Sequence, residues 1–145
     1  MTSQAADAAA NAGAPDALSG GCLCGDIRWH ARRGPRQVHH CHCGMCRRWT
    51  GAAFATLVWF DCDDVVWSGT PAFFRASPIA TRSHCPRCGT PLALAYDGRT
   101  TIALAAGTLD EPEAVTPAHN YGAESLLSWA ERIHALPRKS TKERW

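Results

Sequence analysis

The stretch Cys41-His42-Cys43-Gly44-Met45-Cys46-Arg47-Arg48-Trp49-Thr50-Gly51 places three thiols within six residues. Disulfides need a specific geometry, and a Cys-X-Cys pair is badly placed to close on itself. A metal ion can use all three thiols, because zinc binds thiolates at about 2.3 Å in a tetrahedron and tolerates short ligand spacings. Three ligands on one segment leave one corner of the tetrahedron open, as in catalytic zinc sites. We therefore predict a metal site with an accessible position on these three cysteines.

A second set of cysteines lies in two motifs, Cys22-Leu23-Cys24-Gly25 and Cys85-Pro86-Arg87-Cys88-Gly89-Thr90. Each pair supplies half of a tetrahedron, so the two pairs together predict a closed zinc site of the structural kind. Sixty residues separate Cys24 from Cys85, and closing such a loop removes roughly 3–4 kcal/mol of freedom from the unfolded chain. We therefore expect the domain to need this metal to fold. The spacing also allows the three thiols of the first stretch to recruit a fourth from elsewhere in the chain.

The length, composition and charge limit the classes of protein to which the chain can belong. A chain of 145 residues is long enough for one domain with a modest core. Apolar residues make up 46% and charged residues 19%, as in a soluble globular protein. The net charge of +2 is too small to indicate a nucleic-acid partner. The longest apolar run, residues 52–60, is interrupted by Thr56 and falls short of the roughly 18 residues of a membrane span. We therefore expect neither nucleic acid nor membrane as a partner.

The cysteine content indicates a reducing location. The chain has eight cysteines, and its N-terminus lacks the basic start and apolar segment of a secretory signal. This favours the cytoplasm, where cysteine motifs bind metals more often than they form disulfides. A disulfide framework is the alternative, but Cys-X-Cys spacing suits it poorly. Cys62 lies between Asp61 and Asp63-Asp64, whose carboxylates disfavour its thiolate, so we expect it to take no part in either site.

Short stretches of strand-forming residues between turn signals predict a mainly β domain. Residues 23–31 alternate between apolar and polar side chains, which indicates a half-buried first strand after a turn at Gly20-Gly21. Further strands are predicted at residues 37–40, 53–60, 65–67, 72–74, 81–84, 92–96 and 101–105, the last two as a hairpin. Trp49, Trp59 and Trp67 are expected to be core or sheet-face aromatics.

The two ends of the chain differ from this central part. Residues 1–19 are rich in Ala without a periodic apolar face, which predicts a disordered tail ahead of a domain at residues 20–137. Apolar residues spaced as on one helical face predict a short C-terminal helix packed on the sheet. These residues are Leu126, Trp129, Ala130 and Ile133. Residues 138–145 are predicted to form a charged tail.

The cysteine motifs resemble those of the glutathione-dependent formaldehyde-activating enzyme family, whose domain is shared with centromere protein V. The resemblance runs from about Gly20 to Pro137 and rests on seven cysteines in the family's order and spacing. Its segments are Gly21-Cys22-Leu23-Cys24-Gly25, Cys41-His42-Cys43-Gly44-Met45-Cys46-Arg47 and Cys85-Pro86-Arg87-Cys88-Gly89-Thr90-Pro91-Leu92. Pro117-Ala118-His119-Asn120-Tyr121 is similar to a later motif of the family, with Asn120 in place of an apolar residue.

The resemblance implies an Mss4-like fold, a tent of twisted antiparallel sheets with zinc knuckles. It implies two zinc ions per chain. The structural zinc would be held by Cys22, Cys24, Cys85 and Cys88, and a second zinc, where glutathione binds, by Cys41, Cys43 and Cys46. The implied reaction joins glutathione as co-substrate to formaldehyde and gives S-hydroxymethylglutathione, which classes the enzyme as a carbon–sulfur lyase.

The thiol substrate would be anionic, so we expect cationic or amide groups near the second metal. Arg47, Thr50 and Gly51 are the candidate glutathione contacts closest in sequence, with Arg48 and Arg82 as further candidates. A thiol bound to the metal is held as thiolate, and the thiolate is the nucleophile that adds to a small aldehyde. One alternative is a non-catalytic zinc-binding module for protein or nucleic acid, with its second zinc closed by a histidine or Cys62. Another is a carbon–sulfur lyase that acts on a different thiol adduct.

Overall fold

The computed structural model describes residues 16–144, in which ten strands carry most of the regular structure. They are β1 Leu18–Gly21, β2 Arg28–Ala31, β3 Gln37–Cys41, β4 Ala55–Asp61, β5 Val65–Ser68, β6 Ala72–Ser77, β7 Ala80–His84, β8 Pro91–Tyr96, β9 Thr101–Ala105 and β10 Asn120–Tyr121. One α-helix, α1 Gly44–Thr50, follows β3. Single turns of 3₁₀ helix lie at Cys62–Asp64, Ala106–Thr108, Pro112–Ala114, Ala123–Ser125 and Ile133–Ala135. Within residues 16–144, the helices are too short and polar to cross a membrane.

The strands form two sheets. One has three strands in the order β1-β2-β5, and the other has seven in the order β10-β3-β4-β9-β8-β7-β6. Neighbouring strands are antiparallel except for β10, which runs parallel to β3. The predicted class, mainly β with antiparallel sheets, is therefore confirmed.

The core lies between the two sheets. Trp29 from the small sheet packs at 6.0 Å, between ring centroids, against Phe60 from the large one, and both side chains are fully buried. The indole Nε1 of Trp29 donates a 3.1 Å hydrogen bond to Thr108 Oγ1, so burial leaves no polar atom of this ring unpaired. Burying an aromatic side chain of this size stabilises the fold by about 1.5–3 kcal/mol.

The seven-stranded sheet buries side chains on both faces. Along β4, Val58 and Phe60 belong to the core between the sheets, whereas Leu57 belongs to a second apolar cluster with Cys41 and Leu94. Because alternate residues of a strand point to opposite faces, the second cluster marks the face that looks away from the small sheet. We call this the outer face, and it carries the candidate site described below.

The first strand differs from its prediction. The structure has β1 at Leu18–Gly21, β2 at Arg28–Ala31 and a turn between them, where residues 23–31 were predicted to form one strand. The backbone turns because Gly25 adopts φ +83°, a conformation that suits glycine. Because β1 begins at Leu18, the ordered domain includes Leu18 and Ser19, whereas the sequence predicts that both belong to the disordered tail. Residues 1–15 of that predicted tail lie outside the described residues.

The predicted C-terminal helix is absent from the described residues. The α-helix within residues 16–144 is α1, and the chain from Leu126 to Leu136 forms turns that end in the 3₁₀ turn Ile133–Ala135. Trp129 and Ile133 are 58% and 52% exposed, so the apolar side of the predicted helix has no surface to pack on. A short helix is marginal without such packing because its nucleation is costly.

Candidate metal centres and the cavity beside them

Two motifs distant in sequence bring four sulfurs together. The Sγ atoms of Cys22, Cys24, Cys85 and Cys88 all lie within 4.8 Å of one another. Cys24 Sγ is 3.5 Å from Cys22 Sγ and 3.7 Å from Cys85 Sγ. Two sulfurs bound to one tetrahedral zinc at about 2.3 Å are about 3.8 Å apart. The four sulfurs therefore have the spacing and the chemical type of a closed zinc site.

Backbone and side-chain hydrogen bonds shape the two loops of this four-cysteine cluster. The amide of Ile27 donates to Cys22 Sγ at 3.2 Å. Thr90 Oγ1 lies 3.1 Å from Cys88 Sγ and accepts a 3.0 Å hydrogen bond from the amide of Leu23, so it ties one loop to the other. The hydrogen bond from Thr90 lowers the pKa of the Cys88 thiol to about 5, which favours the thiolate that a metal needs.

The three cysteines of the central stretch also meet. Cys41 ends β3, Cys43 is the N-cap of α1, and Cys46 lies in the first turn of that helix. Their sulfurs lie within 4.8 Å of one another, with Cys41 Sγ 3.5 Å from Cys43 Sγ. Within residues 16–144, no fourth cysteine, histidine or carboxylate joins this group. The three-cysteine cluster thus offers a metal three thiolates.

Arg82 lies beneath the three-cysteine cluster. Its side chain comes from β7 and is only 4% exposed, and its Nη2 donates to Cys46 Sγ at 3.5 Å. Its guanidinium carbon lies 4.8 Å from the centre of the Trp49 ring, while Nε and Nη1 have no hydrogen-bond partner in the described chain. No carboxylate pairs with this cation in the described residues.

A buried cation without an anion is costly, so the neighbouring sulfurs are the groups that can compensate its charge. A hydrogen bond from Cys41 lowers the pKa of the Cys46 thiol to about 6; the charge of Arg82 adds to this effect and burial opposes it. Zinc on three thiolates carries a formal net charge of −1. The buried guanidinium therefore fits a metal held by these three cysteines.

Residues 120–125, which we call the bracing segment, form hydrogen bonds with the three-cysteine stretch. The amide of His42 donates to the carbonyl of Tyr121 at 2.9 Å, and His42 Nε2 is 2.8 Å from Asn120 Oδ1. The guanidinium of Arg47 donates to the carbonyls of His42 and Ser125 at 2.7 and 2.8 Å. The side chain of Asn120 therefore provides an acceptor for the buried ring of His42. In the motif that this segment resembles, an apolar residue takes the place of Asn120.

A cavity of about 980 Å³ opens on the outer face beside the three-cysteine cluster. Cys41, Cys43 and Cys46 all line it, as does Arg82. Its floor consists of alternate residues from adjacent strands, among them His39, Leu57, Trp59, Leu94 and Tyr96. The cluster is therefore accessible from a space large enough for a small-molecule ligand.

The cavity has a charged rim and an aromatic floor. Arg99 lies at the rim, exposed and without an ion pair in the described residues, whereas Asp97 pairs with Arg75. On the floor, the rings of Trp59 and Tyr96 are parallel within 6°, with centroids 6.1 Å apart. Burial raises the pKa of Tyr96, so its phenol stays protonated at neutral pH.

The candidate glutathione contacts from the sequence do not line this cavity. Arg47 uses its guanidinium on the bracing segment, Thr50 Oγ1 donates to the carbonyl of Cys46 at 2.9 Å, and Gly51 caps the end of α1. Nearness to Cys46 in sequence therefore does not place these three residues on the cavity. Of the further candidates, Arg82 lines the cavity and Arg48 does not.

Several cavity residues were missed as site residues, and some could have been found. Alternation backward from Cys41 along β3 places His39 and Gln37 on the same face as the thiol. Tyr96 and Arg99 come from β8 and the loop after it, and only strand pairing across the sheet reveals that they lie near the cysteines. Cys62 lies outside both clusters, and burial together with the Asp63 and Asp61 carboxylates raises its pKa.

Comparisons with known proteins agree with this architecture. The model of the glutathione-dependent formaldehyde-activating enzyme family matches residues 17–124. A Schizosaccharomyces pombe protein described as an uncharacterized lyase is 31% identical over 77 residues, which cover 53% of this chain and 56% of that protein. The aligned part thus spans about half the length of this curated relative. A crystal structure of a Rhodobacter sphaeroides protein superposes with a TM-score of 0.57 at 17% identity, over 70% of this chain and 98% of the other, and so shares the fold.

Proposed function

We propose that this chain, which belongs to the glutathione-dependent formaldehyde-activating enzyme family, is a carbon–sulfur lyase-type enzyme that joins a thiol to a small aldehyde. The thiol is glutathione or a related acidic thiol, and formaldehyde is the simplest aldehyde substrate. The observation that carries the proposal is the three-cysteine cluster, whose sulfurs line a cavity and lack a fourth protein ligand within residues 16–144. A structural site would close that fourth position with a side chain.

The residues present fit two zinc ions. Cys22, Cys24, Cys85 and Cys88 would hold one, and Cys41, Cys43 and Cys46 would hold the other. The second ion, when bound, supplies a position at which a substrate thiol is held as its thiolate at neutral pH.

The chain's own residues then have three tasks. Arg82 offsets the negative charge of the three thiolates from beneath. Arg99 at the rim offers a free cation to the carboxylates of an acidic thiol, a charge-assisted contact of the stronger kind. The cavity walls hold thiolate and aldehyde side by side, which turns a bimolecular encounter into a reaction between neighbours.

The reaction balances without a redox step. The thiolate sulfur forms a bond to the carbonyl carbon, and the π pair of the C=O bond moves to the oxygen. That oxygen takes up a proton, which replaces the proton lost when the thiol ionised. The product is a hemithioacetal, S-hydroxymethylglutathione in the case of glutathione and formaldehyde.

Binding of glutathione to zinc-loaded protein tests the proposal. Thiols add to formaldehyde spontaneously, so binding is a cleaner readout than turnover, and isothermal titration calorimetry measures it. We expect saturable binding at or below millimolar glutathione, lost in Cys43→Ala, which would retain one zinc per chain in place of two. The matched control Cys62→Ala removes a thiol outside both clusters and should keep both zinc ions and the binding. Absence of saturable binding by the wild-type protein would remove the glutathione assignment.

A further inference from the structure

The floor of the cavity carries a row of rings. His119 stacks on His39 with centroids 4.8 Å apart, His39 on Trp59 at 6.3 Å, and Trp59 on Tyr96 at 6.1 Å, with successive planes within 18° of parallel. Trp59 and Tyr96 pack against the apolar cluster that contains Cys41. The aromatic row therefore begins beside the three-cysteine cluster and extends across the outer face.

This surface does not match the two reactants of the simplest reaction. Formaldehyde is little larger than a water molecule, whose share of liquid volume is about 30 Å³, whereas the cavity measures about 980 Å³. An acidic peptide thiol is polar and flexible and matches the cation Arg99 at the rim. Neither reactant accounts for a floor of stacked rings, which bind flat apolar groups most favourably.

The hydroxyl of Tyr96 adds a polar group to this floor. It lines the cavity with the cysteines, and the tyrosine makes no side-chain hydrogen bond within residues 16–144, in contrast to Trp29 in the core. Tyr96 packs against the apolar cluster that contains Cys41 and Cys46, so it lies close to these thiols. A phenol O–H in this position can donate to an oxygen of a molecule that lies on the rings.

We propose that this cavity takes an aromatic aldehyde as the second substrate, with its ring against Trp59 and its carbonyl oxygen at the edge of Tyr96, where it accepts a hydrogen bond from the Tyr96 hydroxyl. The inference rests on the proposed function and names the substrate class of the same site. The sulfur–carbon bond forms and the π pair moves to oxygen as for formaldehyde, and Tyr96 stabilises the charge that develops on that oxygen. The enlarged hemithioacetal then remains on the aromatic floor.

Two measurements on the zinc-loaded protein use benzaldehyde as the probe. Saturation-transfer NMR reports binding of its ring without any thiol, and the rate of hemithioacetal formation with glutathione, above the uncatalysed rate, reports turnover. Trp59→Leu keeps an apolar side chain without the ring, and we expect it to weaken benzaldehyde binding about tenfold. The ratio of kcat/KM for benzaldehyde to that for formaldehyde should fall with it. Tyr96→Phe keeps the ring, and we expect it to lower kcat about a hundredfold with little change in benzaldehyde affinity.

Phe73→Leu is the matched control, because Phe73 is an exposed aromatic residue on β6 that does not line this cavity. It should change neither the affinity for benzaldehyde nor the ratio of the two kcat/KM values. Glutathione binding that persists while benzaldehyde neither binds nor reacts faster than in buffer would overturn the aromatic substrate and leave the thiol chemistry standing. Ring binding that persists without any glutathione binding would instead remove the lyase reaction. Equal loss of binding in Trp59→Leu and Phe73→Leu would overturn the assigned position of the ring.

Discussion

Arg82 Nη2 lies 3.5 Å from Cys46 Sγ, and both residues line the cavity. The strand that carries Arg82 continues through His84 into Cys85, so one short segment contributes a cation to one cysteine cluster and a thiol to the other. Because no carboxylate neutralises this guanidinium in residues 16–144, anionic sulfurs beside it would offset the cost of its burial, in addition to its contact with the Trp49 ring.

Arg82→Met should therefore weaken metal binding at the three-cysteine cluster. A hydrogen bond to a charged group is worth about 1.5–3 kcal/mol, which corresponds to a ten- to hundredfold loss of zinc affinity. Chelator competition measures the affinity of the weaker of the two sites. Arg75→Met on the adjacent strand β6 removes an exposed arginine paired with Asp97 and should leave that affinity unchanged. Equal affinities in wild type and Arg82→Met would show that the guanidinium has no electrostatic role.

The two cysteine clusters should differ in their effect on folding. Cys85→Ser removes a fully buried thiol from the four-cysteine cluster, which would close the loop of sixty residues between Cys24 and Cys85 when a metal is bound. The loop alone accounts for roughly 3–4 kcal/mol, so we expect the cooperative thermal transition to be lost or strongly lowered. Cys43→Ser acts within one short segment and should retain a cooperative transition. Calorimetric scans of both variants check this, and a larger loss of stability in Cys43→Ser than in Cys85→Ser would contradict it.

Asn120 should contribute through His42. Asn120→Leu introduces an apolar residue and leaves the buried His42 Nε2 without its acceptor at 2.8 Å. An unsatisfied buried donor costs about 1–3 kcal/mol, and we expect the melting temperature and the occupancy of the three-cysteine site to fall together. Asn120→Asp retains an acceptor oxygen and serves as the control. A melting temperature in Asn120→Leu equal to that of wild type would mean that the bracing segment does not need this bond.

The sequence predicted the parts of the fold that rest on local chemistry. Cysteine spacing alone grouped Cys41 with Cys43 and Cys46, and strand-forming runs located β3 to β9 within a few residues. The prediction failed where tertiary context decides. Trp129 and Ile133 have helical spacing, yet nothing packs on them, and alternation across 23–31 concealed the turn at Gly25.

The sequence predicted which cysteines lie together but not which residues line the cavity beside them, because tertiary structure decides the second. The thiols lie close together in sequence, but the surface they face is assembled by strand pairing across the seven-stranded sheet. Tyr96 reaches the cavity only because β8 pairs with β9, which pairs with β4. Arg47 is next to Cys46 in sequence but faces the bracing segment. Closeness in sequence therefore predicted which thiols lie together and did not predict which side chains line the cavity beside them.

We propose that the three-cysteine cluster holds a metal with one position free for a substrate thiol, and substitution with cobalt(II) tests this directly. Cobalt(II) in place of zinc gives thiolate-to-metal charge-transfer absorption that grows with the number of sulfur ligands. Glutathione added to the cobalt-loaded protein should increase this absorption saturably, by an amount expected for one added thiolate, and should have no effect on Cys43→Ala. An unchanged spectrum at saturating glutathione, with both ions already bound by four protein ligands, would show that the three-cysteine site has no position free for a thiol.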